Sequence, residues 1–158
     1  RVKQHDLGEV LLVPLRPSGF ARLVIARYHA PHHAVLGYCF GPVISRPGTP
    51  DLSDLHAPKA IYRGICSDLY LRSGRWVRCG RIDPWVRSEW PVPLFYVDGM
   101  GHAPITRVVL SDDDPVVVVL RERVHDKAGL LEYTLHGSES FEITLSRLLS
   151  PSAGQSPF

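Results

Sequence analysis

Ser73-Gly74-Arg75-Trp76-Val77-Arg78-Cys79-Gly80 is a glycine turn, a strand led by an aromatic residue, and a second glycine. Gly74 permits a tight turn that other residues resist, and Trp76 brings a large apolar surface that folding has to bury. The stretch therefore predicts a strand over residues 76–79 and points to a β-rich domain that acts by presenting a surface.

The flanking sequence extends that reading in both directions. Residues 9–15 and 20–28 are rich in Val, Leu and Ile, and Arg16-Pro17-Ser18-Gly19 between them is turn chemistry, which predicts an antiparallel hairpin. Phe20, Arg22, Val24 and Ala26 alternate with Ala21, Leu23, Ile25 and Arg27. Both faces of that strand carry apolar residues, so it is expected at the centre of a sheet. Ala30-Pro31-His32-His33 makes the next turn, and residues 34–40 complete a three-stranded meander.

Pro42, Pro47, Pro50 and Pro58 then exclude a continuous helix or a central strand over residues 41–58. A long surface excursion is expected there, with one helical turn over 51–55. Residues 60–68, 92–97 and 116–121 read as further strands, the last after the turn Ser111-Asp112-Asp113-Asp114-Pro115, and 69–72 as a turn or short helical piece. Phe141, Leu145, Leu148 and Leu149 recur at helical spacing, although Phe141, Ile143 and Leu145 also alternate as in a strand; a helix over 138–149 is the preferred reading. The expected fold class is β-rich α+β, a curled antiparallel sheet or small partly open barrel with a short C-terminal helix. One domain is expected over residues 1–149, and a flexible tail over the Ser/Pro/Gly-rich residues 150–158.

Composition narrows the class. A chain of 158 residues with 44% hydrophobic content can bury a core without metal or disulfide staples. Its longest aliphatic run, residues 116–120, is far short of the roughly 20 apolar residues of a membrane span. With no basic-then-apolar leader pattern at the start, a soluble protein without a membrane partner is expected. Cys39, Cys66 and Cys79 are odd in number and widely spaced, so they read as small core residues in a reducing compartment, and the cytoplasm is the expected location. Net charge is only +2, yet residues 1–80 hold 11 Lys+Arg against 5 Asp+Glu, and residues 81–158 hold 7 against 11. Neither half is basic enough to argue nucleic-acid binding.

The opening Gly8-Glu9-Val10-Leu11-Leu12-Val13-Pro14-Leu15, the long second strand and the element Leu71 to Gly80, with its pattern L-x-S-G-R-W-x-x-x-G, together resemble the bacterial immunity protein 26 family. The resemblance runs from about Leu7 to Tyr96. It implies a protein that protects a cell from a cognate toxin of a polymorphic toxin system. It also implies that Gly8, Pro14, Gly74, Trp76 and Gly80 build the scaffold.

Residue types that could carry chemistry are present without a frame for it. His29-Ala30-Pro31-His32-His33 is the only histidine cluster, and as a proline-bent turn with no acidic residue nearby in sequence it reads as solvated, with no metal expected. Cys66-Ser67-Asp68 lacks the surroundings of a known nucleophile motif. Asp98-Gly99-Met100-Gly101-His102 lacks the lysine and following helix of a phosphate loop. No cofactor is expected, and the chain is read as no enzyme.

Two function classes follow. The first is an immunity protein that neutralises a cognate protein toxin by tight stoichiometric binding, its contact residues expected at Glu89, Trp90, Asp112, Asp113 and Asp114. Carboxylates in that turn would steer association with a basic partner. The alternative is a small-barrel nucleic-acid or ligand-binding module, for which Arg72, Arg75, Trp76, Arg78, Arg81, Trp85, Arg87 and Trp90 interleave guanidinium and indole groups. Nucleic acid is the disfavoured partner of the two.

Overall fold

Alternation and turn chemistry at the start of the chain produce the expected meander. The computed structural model describes residues 6–98 and 104–149. In it β1 (Glu9–Pro14), β2 (Phe20–His29) and β3 (Ala34–Ile44) pair in antiparallel succession. β3 runs four residues past the expected end at 40, because Phe20 finds Ile44 as its partner beyond a register shift. With β4 (Tyr62–Ser67), β5 (Val77–Arg81) and the two-residue β10 (Leu135–His136) they form a first sheet in the order β10-β4-β3-β2-β1-β5. A second sheet, ordered β8-β7-β6-β9, is built from β6 (Phe95–Val97), β7 (Ile105–Leu110), β8 (Val118–Val124) and β9 (Leu131–Glu132). α1 (Leu69–Arg72) and α2 (Ser138–Leu149) complete the fold.

The β-rich fold, its sheets not closed into a barrel, and the C-terminal helix are as expected, but the pairing differs from all-antiparallel. Both sheets are mixed, since β10 lies parallel to β4 and β9 parallel to β6. Those two strands belong to one short run of chain, residues 131–136, that pairs first with the second sheet and then with the first. The helical turn expected over 51–55 is instead an Asx-type turn, in which the Asp51 carboxylate accepts from the Ser53 N–H at 2.9 Å; a single 3-10 turn follows at Ala57–Lys59. β7 went unread in the sequence, although Ile105, Thr106, Val108 and Val109 are the β-branched signal of a strand. The expected tail, 150–158, and the glycine-rich residues 99–102 lie outside the described residues.

The first sheet is the middle layer. One face, with Val10, Val24, Leu36, Tyr38 and Phe40, packs against Trp90, Phe95, Val108 and Leu110. The other, with Leu11, Val13, Leu23, Ile25 and Val35, packs against Leu71, Trp76, Phe141 and Leu145. β2 is therefore buried on both sides, as its double alternation requires. Cys39 and Cys66 belong to this core, and burial pushes both thiols well up, so they behave as small hydrophobes.

The opening motif explains its own residues once α2 is in place. Gly74, at φ +81°, turns the chain out of α1 and delivers Trp76 beneath the helix. The Trp76 indole N–H donates to the fully buried Glu142 carboxylate at 2.8 Å, Arg75 donates to the same group at 2.7 and 3.0 Å, and Arg16 stands 3.2 Å away. α2 thus buries Phe141 and Leu145 one turn apart, with Glu142 and Ser146 beside them, and the helical period prevails over the strand-like one. Gly8 admits the Trp85 ring, whose nearest carbon would lie 2.9 Å from any Cβ placed there. Gly80 faces Leu52 in the same way, and Pro14 falls beyond the last β1–β5 pair, Leu12 with Val77, where a missing N–H is tolerated.

Replacing Glu142 by Ala should cost about 3 kcal/mol in urea unfolding, since it orphans the Trp76 N–H and uncouples two guanidinium groups. Glu142→Gln keeps an acceptor for Trp76 and should cost clearly less; equal losses would show that the hydrogen bond contributes nothing.

Candidate functional site: the Arg27 face

Strict alternation would send Arg27 to the same face as Ala21, Leu23 and Ile25, toward α2. The β2–β3 register instead shifts between Ile25 and Arg27, and a bulge of this kind re-aims a side chain. Arg27 turns toward the second sheet, and Tyr28 after it packs on the helix side. The Arg27 guanidinium is buried, and all of its nitrogens are engaged: with the backbone carbonyls of Ala26 (2.6 Å) and Trp90 (3.0 Å), and with the Asp112 carbonyl (3.1 Å) and carboxylate (2.8 and 3.1 Å). Arg87, in the 3-10 turn Arg87–Glu89, closes the arrangement by donating to Asp112 and to Asp113.

Two stretches that looked unrelated in sequence thereby form one face. Glu89 and Trp90 sit beside Asp112, Asp113 and Asp114 because Arg27 and Arg87 hold both segments. The five residues differ in what they offer. Trp90 is only 3% exposed, stacks on Trp85 and packs edge-on against Tyr38 and Phe40, so its side chain belongs to the core rather than to a contact surface. Asp112 has its charge engaged by two arginines, and hydrogen bonding from Arg27, then from Arg87, holds its carboxyl below the usual carboxylate range. Asp114 is buried. Asp113, with 92% of its side chain exposed, and Glu89, also exposed, project to solvent.

The face is contoured. On one side of Arg87 lies a cleft of about 730 Å³ between the proline-rich excursion and residues 81–90, lined by Leu52, His56, Arg81, Val86, Glu89 and the edge of Trp90. On the other lies a smaller hollow of about 410 Å³ bordered by Arg27, Tyr28, His29, Arg87 and Asp113. The wall of the larger cleft is fixed by a second buried arginine. Arg22 makes a two-pronged pair with Asp54 (2.6 and 2.8 Å) and also reaches the carbonyls of Asp51 and Gly41. This pairing lowers the Asp54 pKa and pins the excursion against the sheet.

The histidine turn is not simply solvated. Asp114, distant in sequence, comes to 2.6 Å of His32 Nδ1 and 3.6 Å of His29 Nδ1, and supplies the acidic neighbour the sequence lacked. His33 turns the other way, 3.3 Å from Asp68. Burial pushes the Asp68 carboxyl upward, but hydrogen bonds from Tyr28, Arg72 and His33 outweigh that and leave it lowered; burial, and then the hydrogen bond to Asp68, raises Tyr28 to about 12. Sequence reasoning missed Arg22 and Arg27 as organising residues. The available signal was a charged residue at an inward position of a strand apolar on both faces.

The interleaved Arg/Trp stretch comes apart in the fold. Arg72 pairs with Asp68, Arg75 with Glu142 and Arg87 with Asp112, while Trp76 and Trp90 are buried. Arg78 and Arg81 are exposed without an ion pair among the described residues, and no aromatic platform stands open beside a track of cations.

The sequence model of immunity protein 26 matches residues 6–103, which include β1 through β6 and the motif from Leu71 to Gly80. The chain belongs to the immunity protein 26 family. Comparison with curated proteins found no match, and comparison with solved structures found none either. In this family member the scaffold motif is completed from outside the matched span, because Glu142 of α2 receives Arg75 and Trp76. The acidic turn likewise lies beyond residue 103, while its arginine partners, Arg27 and Arg87, lie within the match. Among the described residues no helix is long and apolar enough to cross a membrane.

Arg27→Lys retains the charge but cannot serve several acceptors in a plane, and should cost about 1–3 kcal/mol in denaturant unfolding. Asp112 has a folded pKa below its unfolded one. Its contribution is therefore complete above the unfolded carboxylate value of about 4 and is lost as pH falls through the folded value. Carbon-detected NMR titration should show the Asp112 carboxyl moving up toward that ordinary value in the lysine variant.

Proposed function

We propose that this protein neutralises one cognate bacterial toxin by tight 1:1 binding, using the face organised by Arg27. Membership of the immunity protein 26 family supports a protective role. The supporting structural observation is that the 87–90 and 112–114 segments meet there, leaving Glu89 exposed at the larger cleft and Asp113 exposed at the smaller hollow. In this reading the face covers the toxin's active site or an adjacent exosite, in the bacterial cytoplasm, as part of a polymorphic toxin system. Inhibition follows from occlusion and requires no covalent chemistry from this chain, which acts as a binder rather than an enzyme. The cleft accepts a projecting side chain or loop of the toxin, and the exposed carboxylates set its register through short-range contacts.

Co-expression with the toxin-domain product of the adjacent gene should rescue growth and yield a 1:1 complex. Glu89→Arg and Asp113→Arg should each weaken that complex by about tenfold or more while leaving the melting temperature unchanged, since both side chains are exposed. Absence of rescue and of any complex would sink the reading, and a complex indifferent to both changes would move the contact elsewhere.

A further inference from the structure

We propose that His29, His32 and Asp114 form a binding site for a divalent transition-metal ion of the zinc class, bridging the β2–β3 turn to the β7–β8 turn. Sequence and backbone explain why the two imidazoles meet. Ala30–His32 is a 3-10 turn with proline in its first positions, and residues three apart on a three-residue period stand one above the other. His29 and His32 accordingly face the same way, their ring centroids 4.7 Å apart, while His33, at φ +53°, is turned off toward Asp68.

The third ligand is oriented before any ion arrives. Asp114 Oδ1 accepts the Val116 N–H at 3.1 Å, which leaves Oδ2 facing both imidazoles at 2.6 and 3.6 Å. One ligand atom from each of the three residues lies within 4.8 Å of the others. Zinc holds nitrogen and oxygen ligands at about 2.0–2.1 Å, so two ligands on one tetrahedral ion stand roughly 3.3 Å apart. The His29–Asp114 spacing is already close to that, and the His32–Asp114 pair has to open by less than an ångström.

The protonation state fits as well. His29 Nδ1 accepts the His32 backbone N–H at a long 3.3 Å, so that nitrogen carries its lone pair rather than a proton, and this weak hydrogen bond gives way when the ion takes the lone pair. On binding, the proton shared between His32 Nδ1 and Asp114 leaves to solvent, and the freed lone pairs go to the ion. Two imidazoles and a carboxylate suit zinc, cobalt or nickel rather than calcium or magnesium. Three protein ligands leave a fourth position for water on the exposed side, where about half of the His32 side chain is open. An ion here cross-links the two sheets next to the Arg27–Asp112 contact and stabilises the folded state alone.

The test uses the tag-free full chain after chelation, titrated with zinc chloride by calorimetry and with cobalt(II) by visible absorption. One ion per chain is expected, with a dissociation constant in the micromolar range or below and a zinc-dependent rise in melting temperature. His32→Ala and Asp114→Asn should each weaken binding by at least about tenfold and abolish that rise, whereas His56→Ala, in the larger cleft, should change neither. His32 is half exposed, so its variant should melt like the parent protein in chelator and report on binding even if Asp114→Asn is unstable. Failure of the parent chain to bind zinc, undiminished binding by His32→Ala, or a thiolate-to-cobalt charge-transfer band would each overturn the proposal.

Discussion

Arg27 is the charge on which the arrangement of the layers depends. Removing a guanidinium from water costs several kcal/mol unless its donors are met, and here they are met by the Ala26, Trp90 and Asp112 carbonyls together with the Asp112 carboxylate. These acceptors come from β2 itself, from the segment before β6 and from the turn after β7. None of those segments can leave without stranding a buried charge, so the second sheet, the 87–90 segment and the acidic turn dock on β2 as a unit. The bulge that re-aims Arg27 is therefore worth the ladder bond it disturbs.

The same device recurs at each contact the central sheet makes. Glu142 fastens the helix layer through Arg75, Trp76 and Arg16, Asp54 fastens the proline-rich excursion through Arg22, and Asp112 fastens the second sheet through Arg27. Between these points the interfaces are Val, Leu, Ile and Phe, whose burial is favourable in many relative positions because it is non-directional. Apolar area supplies the driving force, whereas an ion pair with one partner buried is tolerable in one register only. Division of labour of this kind suits a binding protein, whose surface segments have to be placed to within about an ångström although they belong to different layers.

That division also explains what the sequence disclosed. The meander of β1 to β3, the buried Trp76 and the final helix were legible because their signals are local: alternation, turn residues and a helical period. β9 and β10 were not, since each is two residues long and exists only because β6 and β4 lie alongside. The ionic contacts were invisible for a related reason, as their partners are 32, 67 and 85 residues apart. Asp112, Asp113 and Asp114 read as a free acidic turn because Arg27 and His32 could not be placed against them. Of the residues singled out at 89–90 and 112–114, Trp90 and Asp114 are buried supports, whereas Glu89 and Asp113 are exposed.

That difference in exposure bears on how the face would recognise the proposed partner. Arg27 and Arg87 offset two of the four carboxylates gathered here, Glu89, Asp112, Asp113 and Asp114, and Asp113 stands 3.3 Å from Arg87. The remaining negative charge is screened beyond a Debye length of about 8 Å at physiological salt. Steering by a negative field is thus weaker than a free Asp112-Asp113-Asp114 turn would have given. In the proposed complex, affinity would come chiefly from short-range fit to the cleft and from hydrogen bonds made by a few fixed side chains, which act on how slowly a complex separates. On the proposed reading a slightly basic chain would serve as an inhibitor whatever the charge of its target, while two buried arginines, Arg22 and Arg27, hold the face in shape.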